Sequence, residues 1–255
     1  MKDLNMSASG GKKIIIANWK MNLSIPRTLN FIKKLAKSNN EIVIAAPYTF
    51  LCALKQRAIK VKLAGQDVSQ FAKGAYTGEV SGKMLKEIGC TYCIVGHSER
   101  RIFFKETDDI INLKVLNLLK VKIKPIICIG ENAQQRKKKL TKQILKKQLG
   151  AALKGIKNLR DILIAYEPVW AISTFQKGKI KHSANLQDII LTHKYIKDLL
   201  QKKYKSKELG VNLIYGGTVN PENSKDILGL KEVDGALVGG ASLKVTSFNA
   251  IIRSI

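Results

Sequence analysis

The stretch DILIAYEPVW, residues 161–170, sets five consecutive apolar residues (Ile162, Leu163, Ile164, Ala165, Tyr166) directly before one carboxylate, Glu167, and a proline, Pro168. An apolar run that does not alternate with polar residues predicts a strand covered on both faces. Seven more runs of this kind occur along the chain: KIIIAN (13–18), EIVIAAP (41–47), VKLAGQ (61–66), YCIVGH (92–97), PIICIGE (125–131), VNLIYGG (211–217) and GALVGG (235–240). Amphipathic stretches lie between them, such as residues 109–120 and 186–204. In the second, Leu186, Ile189, Ile190, Ile196, Leu199 and Leu200 fall on one helical stripe. Eight strand-helix repeats in a chain of 255 residues predict an α/β fold of the (β/α)8 barrel type, eight parallel strands inside an outer ring of helices. The competing layout, a doubly wound open sheet, would usually carry G-x-G-x-x-G after an early strand, and this chain has none. Residues 13–255 are expected to form this single domain, with residues 1–12 a polar N-terminal extension.

In a barrel of this kind function gathers where the strands end. Those ends hold Asn18 with Lys20, Pro47, Gln66, His97 with Glu99, Glu131, Glu167, Gly216-Gly217 and Gly239-Gly240. A Gly-Gly turn before a helix presents backbone N–H groups that suit an anion, phosphate above all, and two such turns stand at adjacent strand ends. Glu167 has no local partner between Tyr166 and Pro168. A carboxylate taken out of water holds a proton more readily, which suits a general base. A neutral His97 imidazole can donate to a carbonyl oxygen while the Lys20 ammonium meets an oxyanion as it develops. Together they predict proton abstraction next to a carbonyl on a small phosphorylated compound. Each also has an ordinary reading: Glu167 as a rim ion-pair partner, His97 as a helix N-terminal residue, Lys20 as a surface lysine. His193 falls on the apolar stripe of 186–204 and reads as a partly buried packing residue, and His182 as an exposed loop residue.

Composition narrows the rest. Lys and Arg number 45 against 19 Asp and Glu, a net charge of +26. The lysines are spread at helical spacings among Leu and Ile without interleaved aromatics, which favours solvated helix faces over nucleic-acid binding. Four cysteines and three histidines offer no zinc-like pairing. Cys90 and Cys93 form a C-x-x-C read as two buried thiols. No apolar run reaches the length of a membrane span, and the opening residues carry no apolar targeting segment, so the chain reads as cytoplasmic.

With these residues placed, the sequence resembles the triosephosphate isomerase family from about Lys13 onward. The motifs are ANWKMN (17–22), GAYTGEVS (74–81), VGHSERR (95–101), CIGE (128–131), AYEPVWAI (165–172), YGGTV (215–219) and GGASL (239–243). The resemblance implies an aldose-ketose isomerase of glycolysis and gluconeogenesis, linked also to the pentose phosphate route. Glu167 would be the base, His97 the neutral electrophile, and Lys20 and Asn18 would bind substrate and stabilise the enediolate. Ser98 and Glu99 would support them. Phosphate would lie on backbone N–H groups near Ser173, Thr218, Gly239 and Gly240. Pro168 to about Lys177 would be a lid. The resemblance implies no metal and no organic cofactor, a triose phosphate substrate, and a homodimer built through the loop Gly74 to Ser81.

The lid departs from the family pattern. Ser173-Thr174-Phe175 stands where the family has Gly-Thr-Gly, in a segment several residues longer, with Gly178 a substitute hinge. Since Gly reaches backbone conformations that strain Ser and Phe, the lid is expected to close less readily and to leak phosphate. Thr218 also replaces the family's usual Ser. Two alternatives stay open at this point: a catalytically impaired barrel that binds polyanions, and another phosphate-binding barrel enzyme such as an aldolase or a synthase.

Overall fold

The computed structural model describes residues 11–56, 61–176 and 184–255. Each of the eight apolar runs is a strand: β1 Ile14–Asn18, β2 Glu41–Ala45, β3 Lys62–Gly65, β4 Cys90–Val95, β5 Lys124–Ile129, β6 Leu163–Tyr166, β7 Asn212–Tyr215 and β8 Gly235–Val238. All neighbours pair in parallel, and β8 pairs back onto β1, so the sheet closes on itself in the order β1 to β8. Between the strands run α1 Ile25–Lys33, α2 Tyr48–Lys55, α3 Gly82–Glu87, α4 Ser98–Phe103, α5 Asp108–Lys120, α6 Ala133–Lys137, α7 Thr141–Ala152, α8 Leu186–Tyr204, α9 Ser224–Leu228 and, after β8, α10 Val245–Arg253.

Two separate clusters of buried residues explain why the strands do not alternate in polarity. Ile14, Ile16, Val43, Ala45, Ala64, Ile94, Ile126, Cys128, Leu163, Ala165, Ile214 and Leu237, taken from every strand, pack with Tyr92 inside the barrel. Their neighbours in sequence, such as Ile15, Ile44, Val95, Ile127, Ile164, Tyr215 and Val238, point outward and pack against helix residues including Phe31, Leu51, Leu85, Ile111 and Ile196. Side chains on a strand alternate between faces, so both faces must be apolar when both are buried.

The helices end where local chemistry stops them. Thr107 accepts from the Ile110 amide to start α5, and Asn185 accepts from the Asp188 amide to start α8. In α8 His193 is fully buried, deeper than its place on the stripe implied. Cys90 and Cys93 are also buried, and burial pushes the Cys90 thiol up to about 12 and the Cys93 thiol well above its ordinary value. Neither is a thiolate at neutral pH. The last helix does not follow Gly239-Gly240 directly as the sequence suggested. A 3-10 turn, Gly240–Leu243, comes first, and α10 starts at Val245. No helix among the described residues is long and apolar enough to cross a membrane. His182 and Gly178 lie outside the described residues, as do positions 1–10 and the end of the lid segment at Lys177.

Candidate active site

Asn18, Lys20, His97, Glu167, Ser173, Thr218, Gly239 and Gly240 line one cavity of about 100 Å³ at the strand ends. Eight residues scattered from position 18 to position 240 thus meet, because the closed barrel brings the end of every strand to one rim.

Glu167 follows β6, and the strand ladder extends one step past it to fix its backbone. Its amide donates to the Ile129 carbonyl at 2.7 Å, and the Gly216 amide donates to the Tyr166 carbonyl at 2.8 Å. Gly130 is where these strands come closest. A Cβ there would stand 1.7 Å from the Glu167 carbonyl oxygen, so no larger residue fits without moving Glu167. The carboxylate is only 2% exposed. Its Oε2 accepts from the Ser98 amide at 3.1 Å, and its Oε1 lies 3.4 Å from His97 Nε2. Cys128 lies buried nearby, and burial together with the Glu167 carboxylate pushes its thiol well above the ordinary value.

His97 is set by the turn from β4 into α4. Gly96 takes a left-handed φ of +69°, and a Cβ on it would stand 2.8 Å from Ile111 Cδ1. His97 then caps α4, its Nδ1 accepting from the Glu99 amide at 3.3 Å. An accepting Nδ1 leaves the ring proton on Nε2, the nitrogen that faces the cavity.

Lys20 holds a left-handed backbone, φ 52°, which is uncommon away from glycine. Two contacts fasten it: its amide donates to Asn18 Oδ1 at 3.1 Å, and Gln66 Nε2 donates to its carbonyl at 2.9 Å while also reaching the Ala45 carbonyl. Its ammonium donates to Glu99 Oε1 at 2.6 Å and to Thr174 Oγ1 at 2.8 Å. Glu99 therefore touches both His97 and Lys20, while Ser98 holds Glu167. Of the residues expected to bind phosphate, Thr218 is already engaged in this structure, since its amide and its hydroxyl both donate to the Ala171 carbonyl, at 3.1 and 2.6 Å.

Sequence reasoning put Glu131 and Gln66 at strand ends and gave neither a task. Glu131 is fully buried and accepts from Trp170 Nε1 at 2.9 Å and from the Tyr166 hydroxyl at 3.2 Å, with Arg136 at 3.8 Å. It anchors the start of the lid segment, which forms 3-10 turns at Val169–Ala171 and Ser173–Phe175. The only signal in the sequence was a carboxylate at a strand end, because its partners Trp170 and Tyr166 lie more than thirty residues away.

As a chemical device the cavity combines a shielded carboxylate, an imidazole N–H and an ammonium, and Gly216, Gly217, Gly239 and Gly240 line it beside them. Comparison with known proteins identifies the family. The family model described as "Triosephosphate isomerase" matches residues 13–255. Proteins of that name from Alkaliphilus metalliredigens and Finegoldia magna are 42% and 44% identical, with alignments covering 95% of this chain and 99% and 98% of theirs. A crystal structure of triosephosphate isomerase from Bartonella henselae superposes with a TM-score of 0.84 at 31% identity, over 96% of this chain and 99% of that one.

Proposed function

Since the chain belongs to the triosephosphate isomerase family, whose reaction interconverts dihydroxyacetone phosphate and D-glyceraldehyde 3-phosphate, we propose that Glu167 is the base that carries the proton between the two carbons. The observation that supports this most is the meeting of Glu167 Oε1 with His97 Nε2 at 3.4 Å, beside Lys20, in one small cavity. Glu167 removes a proton from the carbon next to the carbonyl and becomes a carboxylic acid. The electron pair moves onto the carbonyl oxygen, and His97 donates from Nε2 to that oxygen while Lys20 and Asn18 stabilise the enediolate. Glu167 then returns the proton to the neighbouring carbon. In this structure its carboxylate is bonded to the Ser98 amide, so it must rotate away from Ser98 to reach substrate.

Ser98 and Glu99 orient the reacting groups, and the phosphate lies against the backbone of Ser173, Thr218, Gly239 and Gly240. For the Thr218 amide to join, Ala171 must release it, which ties phosphate binding to movement of the lid. The impaired-barrel reading and the aldolase or synthase reading find no support in the relatives named above, which carry the isomerase name.

The same reading extends to the whole chain. Residues 13–255 act as one barrel domain of a cytoplasmic enzyme, with residues 1–12 an extension. The chain works as a homodimer in which the loop from Gly74 to Ser81 enters a partner copy. Residues 74–79 of that loop are exposed, and beside the active site lies a second cavity of about 510 Å³ lined by Lys20, Gln66, Val80, His97 and Phe104.

Steady-state isomerisation of glyceraldehyde 3-phosphate, coupled to a dehydrogenase, tests the assignment. The purified chain should turn over, and Glu167→Gln should lose on the order of a thousandfold in kcat, the middle of the range for a general base. Undiminished turnover in the variant would remove Glu167 from the role.

A further inference from the structure

We propose that Arg101 is a positioning residue for the isomerisation, bridging the ends of β4 and β5 so that His97 and Glu167 keep their mutual geometry. The proposal rests on the isomerase reading. Arg101 ends the stretch VGHSERR, residues 95–101, and does not line the cavity. Its side chain is 17% exposed, and each guanidinium nitrogen meets a different partner. Nε donates to the Gly96 carbonyl at 2.8 Å, Nη2 to the Cys128 carbonyl at 3.2 Å, and Nη1 to Oδ1 of Asp108, in the first turn of α5, at 2.6 Å. The neighbouring Arg100 turns the other way, to Asp67 and Glu106.

The two carbonyls stand at matching places on two strands. β4 and β5 pair as far as Val95 and Ile127, and Gly96 and Cys128 are the next residue on each. There β4 leaves the sheet, because Gly96 takes its left-handed φ and turns the chain toward His97. Both residues are buried, where a carbonyl needs a donor, and Arg101 stands in for the missing rung. The Gly96 carbonyl belongs to the planar peptide that leads into His97, so its bond to Nε fixes the direction from which the imidazole approaches the cavity. On the other strand Cys128 pairs with Ala165, and the Ile129 carbonyl that follows accepts from the Glu167 amide. His97 and Glu167 are thus connected through one guanidinium. Asp108 holds that group from α5, and Ile111 of the same helix closes over Gly96, where a Cβ would stand 2.8 Å from Ile111 Cδ1 and 3.1 Å from Arg101 Nη2. A lysine, with a single nitrogen, does not supply the planar fork that reaches two strands and a carboxylate at once.

The consequence falls on the chemical step. His97 must present Nε2 to the carbonyl oxygen while Glu167 reaches the adjacent carbon, and a misplacement of about 1 Å costs on the order of a hundredfold. Loosening Arg101 therefore slows proton transfer and leaves substrate binding, which rests on the phosphate contacts, nearly unchanged.

The test is a double-mutant cycle of Arg101→Lys with His97→Gln on steady-state isomerisation, together with the His97 ring signals by NMR. Arg101→Lys should lower kcat by roughly 10- to 100-fold, keep KM within about twofold of the parent, and shift the His97 ring signals. In the His97→Gln background the same change should cost less than about threefold, because a residue that acts through His97 then has nothing left to position. Asp108→Asn, which keeps the arginine but loosens it, should show a smaller loss of the same kind, and it carries all the readouts if Arg101→Lys does not fold. Unchanged kcat, equal losses in the two backgrounds, or unmoved His97 signals would overturn the proposal and leave Arg101 a support of the fold alone. Absence of turnover in the parent would instead strike the isomerase reading, and the His97 signals would still decide the role of Arg101.

Discussion

His193 is buried on α8 with Nδ1 3.0 Å from the Glu232 carbonyl and the rings of Tyr166 and Tyr215 beside it. Burial lowers its pKa from 6.5 to about 4, with the Glu232 carbonyl opposing and Lys197 adding to the shift. The folded protein thus keeps the ring neutral while the unfolded chain binds a proton below pH 6.5, so stability falls as pH drops through 6.5 and levels off below about 4. The loss amounts to about 3 kcal/mol. Urea unfolding midpoints between pH 4 and 7 check this: the parent should lose stability over that window more steeply than His193→Gln, and parallel curves would refute it. At this scale the sequence was legible where a residue type is scarce or its chemistry restricted. Glu167 showed because a carboxylate ending an apolar run needs a reason, and His97 because a histidine follows a glycine at a strand end. Gly130 did not show, since its constraint is the Glu167 backbone of the next strand, a contact that exists only once β5 and β6 pair.

The elements around the site are joined by a buried charge cluster. The Lys114 ammonium on α5, only 4% exposed, bonds both carboxylate oxygens of Asp67, in the loop after β3, at 2.7 and 2.8 Å, and Glu106, between α4 and α5, at 2.5 Å. Arg100 of α4 reaches the same two carboxylates. Burial raises the Asp67 pKa, and Lys114, with Arg100 behind it, opposes the rise. Lys114→Met should leave buried Glu106 and half-buried Asp67 sharing one guanidinium, costing about 3 to 5 kcal/mol and lowering Tm on the order of 10 °C. The deficit should shrink as pH falls and Asp67, its pKa already raised by burial, takes up a proton, and calorimetry at pH 5 and pH 8 would show it; an unchanged Tm at pH 8 would mean Arg100 alone suffices. Nothing in the sequence marked Lys114 among 45 basic residues, because Asp67 is 47 positions away and the helical stripe of 109–120 is apolar on either side of it. Helix existence, by contrast, was readable: α8 spans the predicted 186–204 and α5 begins one residue before the predicted start. In the lid, sequence could name the departure from glycine but not the ring that Phe175 meets, since Phe103 sits seventy-two positions before it.

For the whole molecule, closure of the barrel was legible as a count. Eight runs apolar on both faces, alternating with helices and without the glycine motif of an open doubly wound sheet, fit a closed barrel, and β1 to β8 pairing supplies the closure. The charge of +26 was legible as a number, and the spread of its lysines pointed to solvated faces; its effect on function follows from the substrate. A triose phosphate is an anion, and the cavity proposed to receive it is lined by the Lys20 ammonium at a rim of a strongly cationic molecule. The summed field raises the local concentration of such a substrate and speeds its arrival, and salt screens the field over about 30 Å at 0.01 M but about 8 Å at physiological ionic strength. The value of kcat/KM should therefore fall several-fold between roughly 0.01 M and 0.2 M ionic strength, while kcat, which is insensitive to encounter, changes little. Stopped assays across a series of sodium chloride concentrations, with Lys137, Lys138 and Lys139 of the exposed α6 end changed to Gln in a parallel variant, separate the long-range field from the local ammonium. A shallower salt slope in that triple variant assigns the effect to the surface as a whole, whereas an identical slope confines it to Lys20 and the groups that line the cavity.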